Sequence, residues 1–181
     1  MTSAEFAILS LIVERPRHGY EIEQIIEERG MREWTEIGFS SIYYLLNKLE
    51  GKKLIASRTK QTAGRGPARK VYTATAEGKC ACDEATLEAL KAPYRCYAPV
   101  QLGLANLPGV PATVAIDALR EHLNGLIERL AHIKARRKKQ RPLPYFVEAM
   151  FDHSITMIES EKRWIHNFIQ QLEVHSAESR F

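Results

Sequence analysis

The stretch TAGRGPARKVYTAT, residues 62–75, sets two glycines, a proline and three cations against a run rich in β-branched and aromatic side chains. Glycine turns of this kind serve two chemistries. A phosphate cradle inside an enzyme runs from a strand through glycines into a helix, with a lysine at a fixed place. Here GRGPARKVY runs into VYTAT, which has strand composition, so the cradle is excluded. What remains is a hairpin with strands over residues 55–62 and 70–75 and a tip around Gly64, Arg65, Gly66 and Pro67. Glycine there allows close approach to another backbone, and Arg65 is suited to a minor groove.

Working outward, three helices precede the hairpin. Phe6, Ile8, Leu9, Leu11 and Ile12 recur at helical spacing until Pro16 ends the run. The segment RPRHGYEIEQIIEERG then gives a second amphipathic helix with Ile22, Ile25 and Ile26 inward and Gly30 as its C-terminal stop. In SSIYYLLNKLEGKKLI, Ile42, Leu45, Leu46 and Leu49 form the apolar face of a third helix, with Ser40 expected as its N-cap. Three short helices followed by a two-stranded ribbon is the order of a winged helix-turn-helix, assigned to residues 1–76. Residues 77–181 read as all-helical, so the fold class is mainly α.

The third helix divides its labour. With the four apolar residues inward, a rotation of about 100° per residue places Ser40, Tyr44, Asn47 and Gly51 on the opposite side, with Tyr43 and Lys48 on its flanks. An amide can take adenine bidentately, hydroxyls can reach base edges or phosphates, and a lysine can neutralise a phosphate. A solvated amphipathic helix would carry the same pattern, and the hairpin beside it tips the balance. The chain has 26 Lys+Arg against 22 Asp+Glu, a modest excess, but between Lys48 and Lys70 the single carboxylate is Glu50. The residues expected to face DNA are His18, Tyr20, Ser40, Ser41, Tyr43, Tyr44, Asn47, Lys48, Lys60, Arg65, Gly66, Arg69 and Lys70.

In the second part, Ile116, Leu119, Leu123, Leu126, Leu130 and Ile133 repeat with spacings of three and four, as in a coiled coil. Phe151, Ile155, Ile158, Ile165, Ile169 and Leu172 do the same on the last helix and are the expected dimerisation seam. Packing of the two seams within one subunit is the alternative. The basic run over residues 134–141 is either a solvated helix end or a second anion-binding patch.

Other chemistries lack their residues. Cys80, Cys82 and Cys96 have no C-x-x-C spacing, and none of the six histidines sits in H-E-x-x-H, so neither a metal site nor a cofactor is expected. Acids beside histidines, as in FDHS, are common helix-surface neighbours, and no enzyme activity is expected. No apolar run reaches the length of a membrane span and no signal peptide is legible, so a cytoplasmic location is expected.

Taken in order, ILSLI with HGYEI, SIYYLLNKLEGKKLI and GRGPARKVYTATAEGK resemble the winged-helix signature of the PadR-like transcriptional regulators over nearly the first eighty residues. Tyr44 departs from it, standing where many members have proline. The resemblance implies a homodimer on double-stranded DNA at a pseudo-palindromic operator, with the third helix in the major groove and the wing alongside. It also implies dimerisation through the C-terminal helices and, in the phenolic-acid-responsive branch, a histidine near His153. A repressor responsive to a small aromatic effector is expected; an activator and a sequence-nonspecific architectural protein remain open. The effector site is expected on the last helix at His153, Met157, Trp164 and Phe168, which share helical spacing, with plain core packing as the alternative.

Overall fold

The computed structural model describes residues 1–35, 37–38, 41–60, 69–93 and 99–178, with all side chains among them except those of Glu33, Lys60, Arg69 and residues 176–178. The chain forms two compact units, Met1–Arg95 and Cys96–Phe181. Residues 77–95 are grouped by packing with the first unit.

In the first unit, helix α1 (Ser3–Glu14) starts from a capping box: Thr2 Oγ1 accepts the Glu5 N–H at 3.2 Å and Glu5 Oε2 accepts the Thr2 N–H at 2.9 Å. After Pro16 comes a two-residue strand, β1 (Arg17–His18), then α2 (Gly19–Glu28). Gly30 takes the left-handed conformation, φ 56°, that ends α2 as expected. Helix α3 (Ile42–Gly51) leads to β2 (Ile55–Lys60), and β3 (Arg69–Ala74) returns antiparallel to it, from Ile55 opposite Ala74 to Lys60 opposite Arg69. The sheet has three strands in the order β1-β3-β2, not two. Two residues carry no readable alternation, so β1 is visible only through its pairing of Arg17 with Tyr72 and His18 with Val71. The N-cap position of α3 is Ser41, where Ser40 was expected; the Ser41 Oγ donates to the Gly38 carbonyl at 2.8 Å, and Ser40 lies outside the described residues.

The exit from α3 explains GKKL. Lys53 N–H donates to Glu50 O at 2.9 Å and Leu54 N–H to Leu49 O at 3.0 Å, the paired bonds of a Schellman motif. The left-handed residue is Lys53, φ 59°, while Gly51 stays in the last helical turn. Thr75 then caps α4 (Ala76–Lys91) and also donates to the Lys53 carbonyl at 2.9 Å. At Gly78 a Cβ would stand 1.9 Å from the Leu54 carbonyl oxygen, so glycine is what lets α4 close on the wing's base.

The core beneath is built from α1 (Ile8, Leu9, Leu11, Ile12), α2 (Ile22, Ile26) and α3 (Ile42, Leu46, Leu49), with Tyr72 and Cys82. Two buried charges tie its edges. Arg17, 2 % exposed, donates from Nε to the Leu11 carbonyl at 2.7 Å and from its two Nη atoms to Glu14 at 2.7 Å and Glu21 at 3.3 Å. Glu5, 1 % exposed, receives Lys48 of α3 and Lys52, the residue that caps its C-terminal end, each at 2.9 Å.

The second unit comprises α5 (Pro99–Ala105), a 3-10 turn (Leu107–Gly109), α6 (Ala112–Lys139) and α7 (Tyr145–Glu178). The two long helices pack as an antiparallel hairpin around Ile116, Leu126, Leu130, Ile133, Ile155, Ile158, Ile165 and Ile169, with Phe151 and Leu172 partly buried beside them. The α7 seam expected to dimerise is therefore satisfied inside the chain. The basic run is also largely used there, with Lys134 on Glu159 at 2.7 Å and Arg137 and Arg141 on Glu148 at 2.6 and 3.4 Å. Such exposed pairs contribute about 0–1 kcal/mol each, against roughly 1.5–3 kcal/mol per buried isoleucine or leucine, so the apolar seam holds the hairpin and the charges orient it.

Burial alone would raise the Glu5 carboxyl, but the Lys48 hydrogen bond, the Thr2 N–H and Lys52 outweigh it and lower the group from 4.5 to about 2. A lowered carboxylate contributes stability that is full above its unfolded value of 4.5 and fades as the pH falls towards 2. Glu5→Gln should cost on the order of 2 kcal/mol at neutral pH, discounted because both lysines are half exposed. Urea titrations followed by Trp34, with Trp164 replaced by Phe, should show that deficit shrinking between pH 4.5 and 2. A deficit independent of pH would show that the ion triad is not its source.

Candidate nucleic-acid interface

Helix α3 presents its outer face as the spacing predicts. Tyr43 and Tyr44 are 58 % and 65 % exposed, Asn47 is exposed, and Ile42, Leu45, Leu46 and Leu49 are buried beneath them. A helix end carrying two phenols and an amide on a rigid apolar base offers hydrogen-bonding groups at little further entropic cost, because the backbone is already fixed.

The HGYEI segment is packed against this face. Gly19 lies under the Tyr43 ring, and a Cβ added there would meet Cε1 at 2.6 Å, so the missing side chain lets the ring lie where it does. His18 is spent locally: it caps α2, its Nδ1 accepting the Glu21 N–H at 3.1 Å, which leaves Nε2 for the ring proton. Tyr20, one residue further, is exposed. Ser41 is half-buried and bonded to Gly38, so its hydroxyl serves the turn into α3.

The cations fall into two groups. Lys48 is held by Glu5, and that hydrogen bond raises its ammonium above the ordinary lysine range. Lys70 on β3 binds Glu50 Oε2 at 2.8 Å, which raises it likewise and lowers the Glu50 carboxyl, and it lies 5.3 Å from the Tyr72 ring centroid. The one carboxylate in the basic stretch thus pins the ribbon to the C-terminal end of α3, with help from the Ser57 hydroxyl. Lys53 and Arg58 are exposed on the turn and on β2, two cations that the helix-face reading passed over because they lie outside α3 and the hairpin tip. Lys60 and Arg69 pair in the last register position of the ribbon, and their side chains lie outside the described residues, as do Arg65 and Gly66.

Of the positions expected to hold an effector, His153, Met157 and Trp164 are exposed on α7. Trp164 stacks on Phe168, with ring centroids 5.2 Å apart and planes 15° from parallel. Phe168 alone of the four lines a cleft of about 570 Å3 within the second unit. Among the described residues there is no group of three or more His, Cys, Asp or Glu placed to hold a metal ion, and no helix long and apolar enough to cross a membrane.

Three helices, a ribbon closing over the third, and an exposed polar face on that third helix define a winged helix-turn-helix of the DNA-binding type. Residues 8–84, within the first unit, match the transcriptional regulator PadR-like family. No protein of curated function matches the chain in sequence. Among solved structures, Bacillus subtilis PadR in complex with operator DNA superposes with a TM-score of 0.76 at 20 % identity, covering 93 % of this chain and 98 % of that one. The same protein in complex with p-coumaric acid gives 0.78 at 19 % identity over 94 % and 99 %. A PadR-like transcriptional regulator of Bacillus cereus gives 0.65 at 16 % identity over 95 % and 97 %. At these identities the likeness is one of fold, and it assigns no residue its role.

Proposed function

We propose that the protein is a homodimeric, ligand-responsive transcriptional repressor that binds a pseudo-palindromic operator as duplex DNA in the cytoplasm and carries no catalytic role. The observation that carries this reading is the outer face of α3, where Tyr43, Tyr44 and Asn47 stand free beside a cationic ribbon. It is supported by a fold shared with a B. subtilis regulator solved on operator DNA and with p-coumaric acid. Residues 1–76 supply the DNA contacts. Asn47 and Tyr44 read bases, Tyr20 and Tyr43 flank them, and Arg65, Gly66, Lys60, Arg69 and Lys70 bring the wing to the phosphates. Lys48 and His18 act mainly by holding α3 and α2 in place.

Residues 77–181 supply dimerisation and the response to an effector. One small helix and one wing read few bases, and two symmetric copies double them at half-sites one turn apart. With the α7 seam buried on α6, we place the surface for a second copy on the other face of α7. Phe146, Met150, Met157 and Trp164, all exposed, follow each other there at intervals of four and seven.

Binding isotherms at several salt concentrations test the DNA reading. Arg65→Ala should lower the slope of log affinity against log salt by about one, the worth of one phosphate contact. Asn47→Ala should leave that slope alone and change which duplexes are preferred. Equal affinity for selected and random duplex would instead mark an architectural protein.

The dimer reading separates two variants. Met157→Glu should keep the helical circular dichroism, sediment as a monomer and lose at least tenfold in operator affinity, because half the contacts go. Ile165→Glu, at a position 0 % exposed, should cost several kcal/mol by burying an unpaired charge and melt the hairpin. A stable Met157→Glu dimer would reject this placement of the seam.

A further inference from the structure

The cleft in the second unit has a chemistry of its own. Leu104 of α5 and Leu107 of the following turn form one wall, Val114 and Ala118 of α6 the other, and Phe168 of α7 closes one side. Its volume of about 570 Å3 lies in the range of small-molecule pockets, roughly 300–1,000 Å3. The ionisable side chains among its lining are His122 and Glu161, both half-buried, with Nε2 and Oε1 3.6 Å apart.

That pair decides what the cleft accepts. A carboxylate ligand would bring its charge beside Glu161, and the imidazole beside it already faces the same carboxylate. A ligand with an ammonium or hydroxyl meets the opposite situation: Glu161 is an acceptor with oxygens to spare, and the apolar walls take the rest of the molecule. We infer that the α5–α6–α7 cleft is a ligand site for a compound with an apolar, ring-containing body and a cationic or neutral hydrogen-bond donor, and that it discriminates against organic acids. The cleft is built by residues of one subunit. It deepens the ligand-responsive reading given above and rests on it for its regulatory meaning, though not for its chemistry. Trp164, stacked on Phe168, is placed to report occupancy.

The test uses three probes with one apolar body: 4-phenylbutylamine, 4-phenylbutanol and 4-phenylbutyrate. The chain has two tryptophans, so Trp34→Phe leaves Trp164 as the sole emitter. Titration of that full-length protein should change Trp164 emission, with the amine binding at least tenfold tighter than the acid, the worth of about one charge contact, and the alcohol between them. Glu161→Gln should collapse the gap between amine and acid. Ala118→Phe and Gly103→Phe, two separate ways of filling the cleft, should each abolish binding of all three probes while keeping the wild-type circular dichroism; a Cβ at Gly103 meets nothing within 4 Å. Acid binding as tight as amine binding would overturn the inference. So would undiminished probe binding in both filled variants, or their conversion to monomers, which would mean that a second copy occupies the cleft. Operator release is measured separately. Probes that bind as described without releasing operator support the site and count against the ligand-responsive reading, whereas release that persists in the filled variants leaves the regulator standing and overturns the site.

Discussion

Glu5 closes the first turn of α1 and, with the same carboxylate, holds Lys48 of α3 and Lys52 at its C-terminal cap. The group is buried, so its charge is tolerated only because it is saturated by two ammonium groups and a backbone N–H. The azimuth of α3 about its own axis follows from this. Lys48 lies on the flank of α3, one turn from Tyr44, and tying that flank to α1 holds the apolar residues inward and keeps Tyr43, Tyr44 and Asn47 at the surface. Arg17 acts similarly one layer away, joining the end of α1, the start of α2 and the strand that adds the ribbon to the body. A buried ion network contributes less to net stability than an equal volume of leucine would, and its value here lies in orientation.

The second unit solves a different problem. A 34-residue helix cannot bury its whole girth in a two-helix hairpin. α7 gives one face to α6 and keeps a second row of large apolar side chains exposed, Phe146, Met150, Met157 and Trp164 among them. The ion ladder across the hairpin sets its direction, since Arg120 reaches Glu173 and Arg137 reaches Glu148, pairs that meet only when the helices run opposite ways.

Much of this was legible in the sequence because it rests on local rules. The apolar faces of α1 to α3, the Gly30 stop, the hairpin composition and both C-terminal seams are each a pattern within a few turns of chain. What escaped reading is set by contacts between distant segments. β1 exists only by pairing with β3, Glu5 reads as an ordinary first-turn acid until Lys52 arrives 47 residues later, and a lysine, Lys53, takes the left-handed place that ends α3. The α7 seam shows the same limit: periodicity announces an apolar face and does not say which helix covers it, and within the chain α6 does. His18 and Lys48 look like ligand-seeking groups in sequence, and the structure gives both a partner within the fold.

The central claim is that two copies of the α3 face read DNA symmetrically. Selection of bound sequences from a randomised duplex pool tests it most directly. The account predicts strong enrichment of an inverted repeat whose half-site centres lie about one helical turn, roughly 10 base pairs, apart. Failure to enrich any sequence, or recovery of a motif without two-fold symmetry, would contradict it.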